Sequence, residues 1–234
     1  TGGLETVAVR MPSHPAARAV IDAGGGYIAA PSANTSGRPS PTRAEHVAED
    51  LDGRIEMIVD GGPVEIGVES TILDMTVTPP MILRPGAVTR EMLEELIGKV
   101  AVDQTLLKAD SRTAPKAPGM KYRHYAPKAN LVVVEGEVEK VTAWIRETAA
   151  TKQQEGKRVG IIATEETKES YPDGDVKVAG TRADEATIAS SLYGILREFD
   201  VDGVYSEAFA SGGIGAAVMN RLLKAAGHQV IRIT

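Results

Sequence analysis

Between Leu131 and Ile233, short apolar runs alternate with stretches whose apolar residues recur every three to four positions. Leu131 to Glu135, Arg158 to Ala163, Val176 to Ala179, Gly203 to Ser206 and Gln229 to Ile233 are β-rich, whereas Val138 to Ala150, Asp184 to Phe199 and Gly215 to Ala226 have helical spacing. Strand and helix in alternation predict an open α/β sheet with helices on its faces. Ile188, Leu192, Ile195 and Leu196 share one helical stripe and are expected to be core.

The amino-terminal portion up to about residue 100 reads differently, with more turns and shorter elements. Its pattern predicts strands at Glu5 to Arg10, Gly26 to Ala30, Ile55 to Asp60, Ser70 to Asp74 and Met81 to Arg84, and helices at Pro15 to Ala23, Thr42 to Leu51 and Thr89 to Ile97. Thr42 and Glu45 have the spacing of a capping box. A buried strand at the very start is unusual for a domain, so earlier sequence is expected ahead of Thr1. Residues 101 to 130, containing KADSRTAPKAPGMKYRHYAPKA, break both periods and read as an extended linker. The expected organisation is therefore a domain over 1–100, the linker over 101–130 and a second domain over 131–234.

At 234 residues, with 42% hydrophobic and 25% charged positions, the chain can bury a substantial core. The absence of cysteine removes disulfides and thiolate chemistry, which suits a reducing cytoplasm, and the four histidines have no zinc-ligand spacing. No metal site is expected. No stretch approaches the roughly 20 apolar residues of a membrane helix, so no membrane partner is expected. A net charge of -6 argues against a broadly cationic nucleic-acid face.

Ala29 to Pro41, AAPSANTSGRPSP, concentrates Ser32, Asn34, Thr35, Ser36 and Ser40 around Gly37 and Arg38 behind an apolar run. Hydroxyl, amide and backbone N–H groups at a strand end suit phosphate oxygens, with Arg38 as a charged donor fork. The same groups also suit a long loop that caps its own backbone. Glu5 to Pro12 and Ile82 to Gly86 each end a strand on an arginine, Arg10 and Arg84, while Val68-Glu69-Ser70-Thr71 places two hydroxyls after a carboxylate. Two strand-end arginines point to anionic ligands, or else to surface ion pairs.

In order along the chain, TVAVRMP, AAPSANTSGRPSPT, DGG, VESTILD, ILRPGA, PGMKYRHYAPKA and GGIGAAVMNRLLKAA resemble the YrdC-type threonylcarbamoyl-AMP synthases in their long two-domain form. The resemblance implies a partial YrdC-like twisted α/β domain followed by a Rossmann-like open α/β domain. It implies an enzyme that joins L-threonine, bicarbonate and ATP into threonylcarbamoyl-adenylate and pyrophosphate. The product would serve a tRNA-modifying threonylcarbamoyl transferase complex acting on the adenosine beside the anticodon, with weak tRNA contact by the synthase itself. By the same resemblance Arg10, Ala30 and Ser70 take threonine, while Thr6, Ser32, Ser40 and Arg84 take ATP, accompanied by Mg²⁺ and with no catalytic base identified.

The linker alternates cationic and aromatic groups, Lys121, Tyr122, Arg123, His124 and Tyr125, on a proline-set backbone. It is expected to fold over the synthase site as a lid, bringing His124 to the nucleotide. The family's amino-terminal portion, with a threonine-rich segment and a Lys/Arg phosphate motif, has no counterpart here, so this chain alone is expected to be inactive. Ser211 to Ala217 looks like a dinucleotide loop but has Val218 where the third fingerprint glycine belongs, and reads as a glycine-rich helix start. Asn220 and Arg221 are candidates for a domain interface. A non-catalytic RNA-binding or regulatory protein and a nucleotide phosphohydrolase are the competing readings; an aromatic content of 4% disfavours the first.

Overall fold

The computed structural model describes residues 5–103, 106 and 127–234. They fall into two compact units, one of residues 1–36 and 40–64, the other of residues 37–39 and 65–234, for as much of each as is described.

The first unit holds two helices, α1 (Pro15–Ala23) and α2 (Ala44–Leu51). Pro15 suits the first helical turn of α1, where its missing N–H would have no partner. α2 starts later than Thr42, at an Arg43 N-cap with no side-chain cap bond. Thr42 turns instead to His46, whose Nδ1 accepts from the Thr42 backbone N–H at 3.2 Å. The three expected strands of this unit are absent as strands: residues 5–10, 26–30 and 55–60 form no ladder. Their apolar side chains face outward, with Val9 89% and Met57 77% exposed. Alternation along a chain records which side of a strand is meant for a core, but a strand exists only when a neighbour accepts its hydrogen bonds.

The second unit contains two sheets. β1 (Ile72–Asp74) and β2 (Met81–Arg84) pair antiparallel, with Ile72 opposite Arg84 and Leu73 opposite Ile82, and β3 (Ala101–Val102) adds parallel to β2. Residues 101–102, expected in the linker, thus close a small sheet. Between β2 and β3 lies α3 (Arg90–Ile97), capped by Thr89, whose hydroxyl accepts from the Met92 N–H. The rest of the expected linker lies mostly outside the described residues.

Five parallel strands follow, β4 (Asn130–Glu135), β5 (Val159–Ala163), β6 (Asp175–Val178), β7 (Gly203–Glu207) and β8 (Val230–Arg232), in the spatial order β6-β5-β7-β4-β8. Every residue of β5 is buried, as a parallel strand covered on both faces requires. Ile161 and Ala163 join Val134 in a core with Val141, Ile145 and Ala149 of α4 (Val138–Gln154). Ile162, Leu131 and Val133 face the opposite way, toward α5 (Glu185–Glu198) and α6 (Gly215–Ala225). Period-two alternation therefore sorts each strand between two helical layers. The molecule is an α/β protein, and this unit carries the open α/β sheet expected from the sequence.

Candidate functional site

β1 and β2 bring the VESTILD and ILRPGA motifs side by side. Arg84 stands at the end of β2, and its Nε and Nη2 donate to the Ser70 carbonyl oxygen at 3.1 and 3.0 Å. Beyond Arg84 the chain turns so closely over the Ser70-Thr71 backbone that a Cβ at Gly86 would lie 2.3 Å from the Thr71 nitrogen. Only glycine fits there. Thr71 Oγ1 donates to the Val88 carbonyl at 2.6 Å, fastening the turn from the other side. Ser70 and Thr71 supply the polar edge of a cavity of about 230 Å³ otherwise walled by Ile66, Val68, Leu73 and Val88.

Beneath this pair sits a charged group that the sequence reading placed only at an interface. Arg221 of α6 is 0% exposed. Its Nε donates to Glu69 Oε2 at 2.8 Å, its Nη2 to the Glu69 carbonyl at 3.1 Å and its Nη1 to the Pro85 carbonyl at 2.6 Å. Tyr193 of α5 donates its O–H to the same Glu69 oxygen at 2.8 Å. A buried charge is tolerable when paired and hydrogen-bonded, and each Arg221 nitrogen has a partner. One helical turn on, Lys224 is also buried, and its ammonium is pulled down to about 8, chiefly by loss of solvent and then by the cations of Arg221 and Arg84; Glu69 opposes the shift.

In the first unit, α2 holds the AAPSANTSGRPSP loop. Thr42, His46 and Asp50 are all buried, the last two one helical turn apart on a single face. Asp50 Oδ2 accepts from the Thr35 N–H at 3.2 Å, and His46 Nδ1 from Thr42. Two side chains of α2 thus satisfy backbone N–H groups at Thr35 and Thr42. The signal available in sequence was the i, i+4 polar pair on an otherwise amphipathic helix. Asp60 Oδ1 likewise accepts from Gly62 N–H at 2.8 Å, tightening the DGG turn, over which His14 packs against Gly61.

Of the residues singled out from sequence, Thr6, Arg10, Ala30 and Ser32 lie on exposed stretches of the first unit, and Ser40 is half-buried there. Ser70 and Arg84 lie in the second unit, where they are in direct contact. His124 lies outside the described residues. Gly215 begins α6, and its N–H is taken by the Glu185 carboxylate at 2.8 Å, so this helix start is capped from within the protein. At the carboxyl end of the parallel sheet, Glu207 is fully buried between the Tyr171 hydroxyl, 2.7 Å away, and the Arg182 guanidinium. Burial and the Glu207 charge push the Tyr171 hydroxyl well above the usual phenol range.

Comparison with known proteins gives a consistent result. Residues 88–227 match the family model described as threonylcarbamoyl-AMP synthase, C-terminal domain, and residues 1–86 match the one described as telomere recombination. The threonylcarbamoyl-AMP synthase of Bacillus subtilis is 53% identical over 235 residues, covering 99% of this chain and 66% of that protein. That of Pyrococcus abyssi is 48% identical, covering 100% of this chain and 67% of the relative. The chain thus spans about two thirds of the length of these curated relatives. Among solved structures, P. abyssi Sua5 complexed with L-threonine superposes with a TM-score of 0.90 at 46% identity, over 100% of this chain and 68% of that one. A variant of the same protein, with a histidine and a tyrosine changed to alanine, gives a TM-score of 0.91 at 47% identity, over 99% of this chain and 66% of the other.

Proposed function

Because the chain belongs to the threonylcarbamoyl-AMP synthase family, we propose that the protein makes threonylcarbamoyl-adenylate and pyrophosphate from L-threonine, bicarbonate and ATP. Bicarbonate takes up a proton and loses water to give carbon dioxide, and the threonine amine attacks that carbon, forming the C–N bond of a carbamate and releasing a proton. A carbamate oxygen then attacks the α-phosphorus of ATP, and the bond to pyrophosphate breaks. Carbamate, carboxylate and triphosphate are all anionic, so the chemistry needs fixed donors and counter-charge more than a strong nucleophile.

Arg10 supplies a forked guanidinium for the threonine carboxylate, with Ala30 and Ser70 beside the amino acid. Thr6, Ser32, Ser40, Arg84 and His124 serve ATP. Mg²⁺ would accompany the nucleotide and offset the charge of its phosphates. The observation that best supports this reading is the pairing of Arg84 with Ser70, which sets a cation assigned to ATP against a residue assigned to threonine.

In this reading residues 1–100 carry the synthase chemistry and 131–234 form the Rossmann-like domain. The adenylate passes to a threonylcarbamoyl transferase complex that modifies tRNA, the synthase itself touching tRNA weakly, and the work is cytoplasmic. The test is pyrophosphate release by the full-length protein with ATP and Mg²⁺, omitting threonine or bicarbonate in turn. Dependence on both is the expected result. Release without threonine would indicate a phosphohydrolase, and salt-sensitive tRNA binding without release would indicate an RNA-binding protein.

A further inference from the structure

Arg221 touches the two site motifs at matching places. Glu69, which it holds through both carboxylate and carbonyl, immediately precedes Ser70; Pro85, whose carbonyl it also holds, immediately follows Arg84. Four N–H groups of the β1–β2 region and its clamp are thereby committed: two from Arg84 to the Ser70 carbonyl, and two from Arg221 to Glu69. Tyr193 fixes the remaining freedom of the Glu69 carboxylate, and Asn220 Oδ1, 3.2 Å from Arg221 Nη1, steadies the guanidinium. Gly86 leaves no side chain between the two strands to hold them apart.

We propose that Arg221, with Tyr193 through Glu69, is a positioning residue for the synthase reaction: the helices of the carboxy-terminal sheet set the spacing between Ser70 and Arg84. The proposal rests on the synthase reading of those two residues. It gives the second domain a task in the reaction, that of presenting a threonine contact and a nucleotide contact in fixed register. The planar fork matters because three acceptors on two chain segments must be met at once, which a lysine ammonium on a flexible stem does not reproduce. A salt bridge that merely stabilised the fold would need Glu69 alone; the bonds to two backbone carbonyls are what tie it to the geometry of the site.

The experiment compares the full-length wild-type protein with Arg221→Lys and the milder Tyr193→Phe in the same protein. Kinetics are taken well below the melting temperature, with the folded fraction measured by circular dichroism. Hydrogen exchange is followed at the amides of Ser70, Thr71 and Gly86. For Arg221→Lys, KM for threonine and for ATP should rise together by about tenfold, as the loss of charge-assisted bonds implies, with kcat per folded molecule falling less. Tyr193→Phe should shift both KM values in the same direction by a smaller factor, and exchange at the three amides should accelerate in both variants. Unchanged KM values in folded enzyme, with stability alone reduced, would overturn the proposal. So would unaltered exchange at those amides. A wild-type protein that releases no threonine-dependent pyrophosphate would refute the synthase reading instead, while the exchange measurement would still decide whether Arg221 sets the Ser70 and Arg84 segments.

Discussion

Lys224 is 7% exposed, on the same α6 face as Arg221, and its surroundings include two guanidinium groups and one carboxylate, those of Arg221, Arg84 and Glu69. Its folded-state value of about 8 lies below the ordinary lysine value of 10.5. Between those values the unfolded chain binds more protons than the folded one, so stability rises with pH across this window. Below pH 8 both states are protonated and the whole cost of burying the ammonium is present. Replacing it by Lys224→Met removes that cost, so the stability advantage of the variant over wild type should shrink as pH is raised from about 8 to 10. Melting temperatures at matched ionic strength would show it. A difference that stays constant across the range would mean that Lys224 is not depressed. His228, held down by burial and then by Lys224, titrates below this window and leaves the comparison intact.

A short helix can organise a loop far longer than itself when its buried face carries acceptors. α2 does this with His46 and Asp50, which take backbone N–H groups of Thr42 and Thr35. Because these donors lie three residues after Ser32 and two after Ser40, the helix has a direct hold on the segment assigned to ATP. Asp50→Ala should cost about 1–3 kcal/mol in urea unfolding, the typical penalty for leaving a buried donor unmet. An unchanged urea midpoint would show that the loop finds its bonds elsewhere. α6 has the complementary role, since it delivers Arg221 to the open end of the β1–β2 hairpin, at Glu69 and Pro85.

Across the molecule the two units differ in how their apolar residues are spent. The five-stranded sheet buries Leu131, Val133, Ile161 and Ile162 completely, whereas Val7, Val9, Met57 and Val59 in the first unit face outward on segments without a ladder. Protection against hydrogen exchange follows ladder bonds and burial. Amides of β5 and β7 should therefore be the slowest in the protein, and those of residues 5–10, 26–30 and 55–60 among the fastest. Strong protection in these three segments would mean that another strand covers them in solution.

The elements of the carboxy-terminal sheet were legible in the chain because burial on both faces leaves continuous apolar runs, and its helices carry the 3.6-residue stripe. β2 and α1 appear with the bounds that their patterns predict. Motif order was enough to reach the family, and with it the residues to inspect. The sequence by itself therefore determined which segments favour helix or strand and which residue types are available to anions. Whether residues 5–10 become a strand was a matter for tertiary structure, since ladder bonds need a partner that local pattern does not supply. The same holds for Arg221: nothing local distinguishes it from any arginine on an amphipathic helix. Only folding brings it within hydrogen-bond reach of Glu69 and Pro85, 152 and 136 positions away, and so turns a helix residue into the fastening of a site.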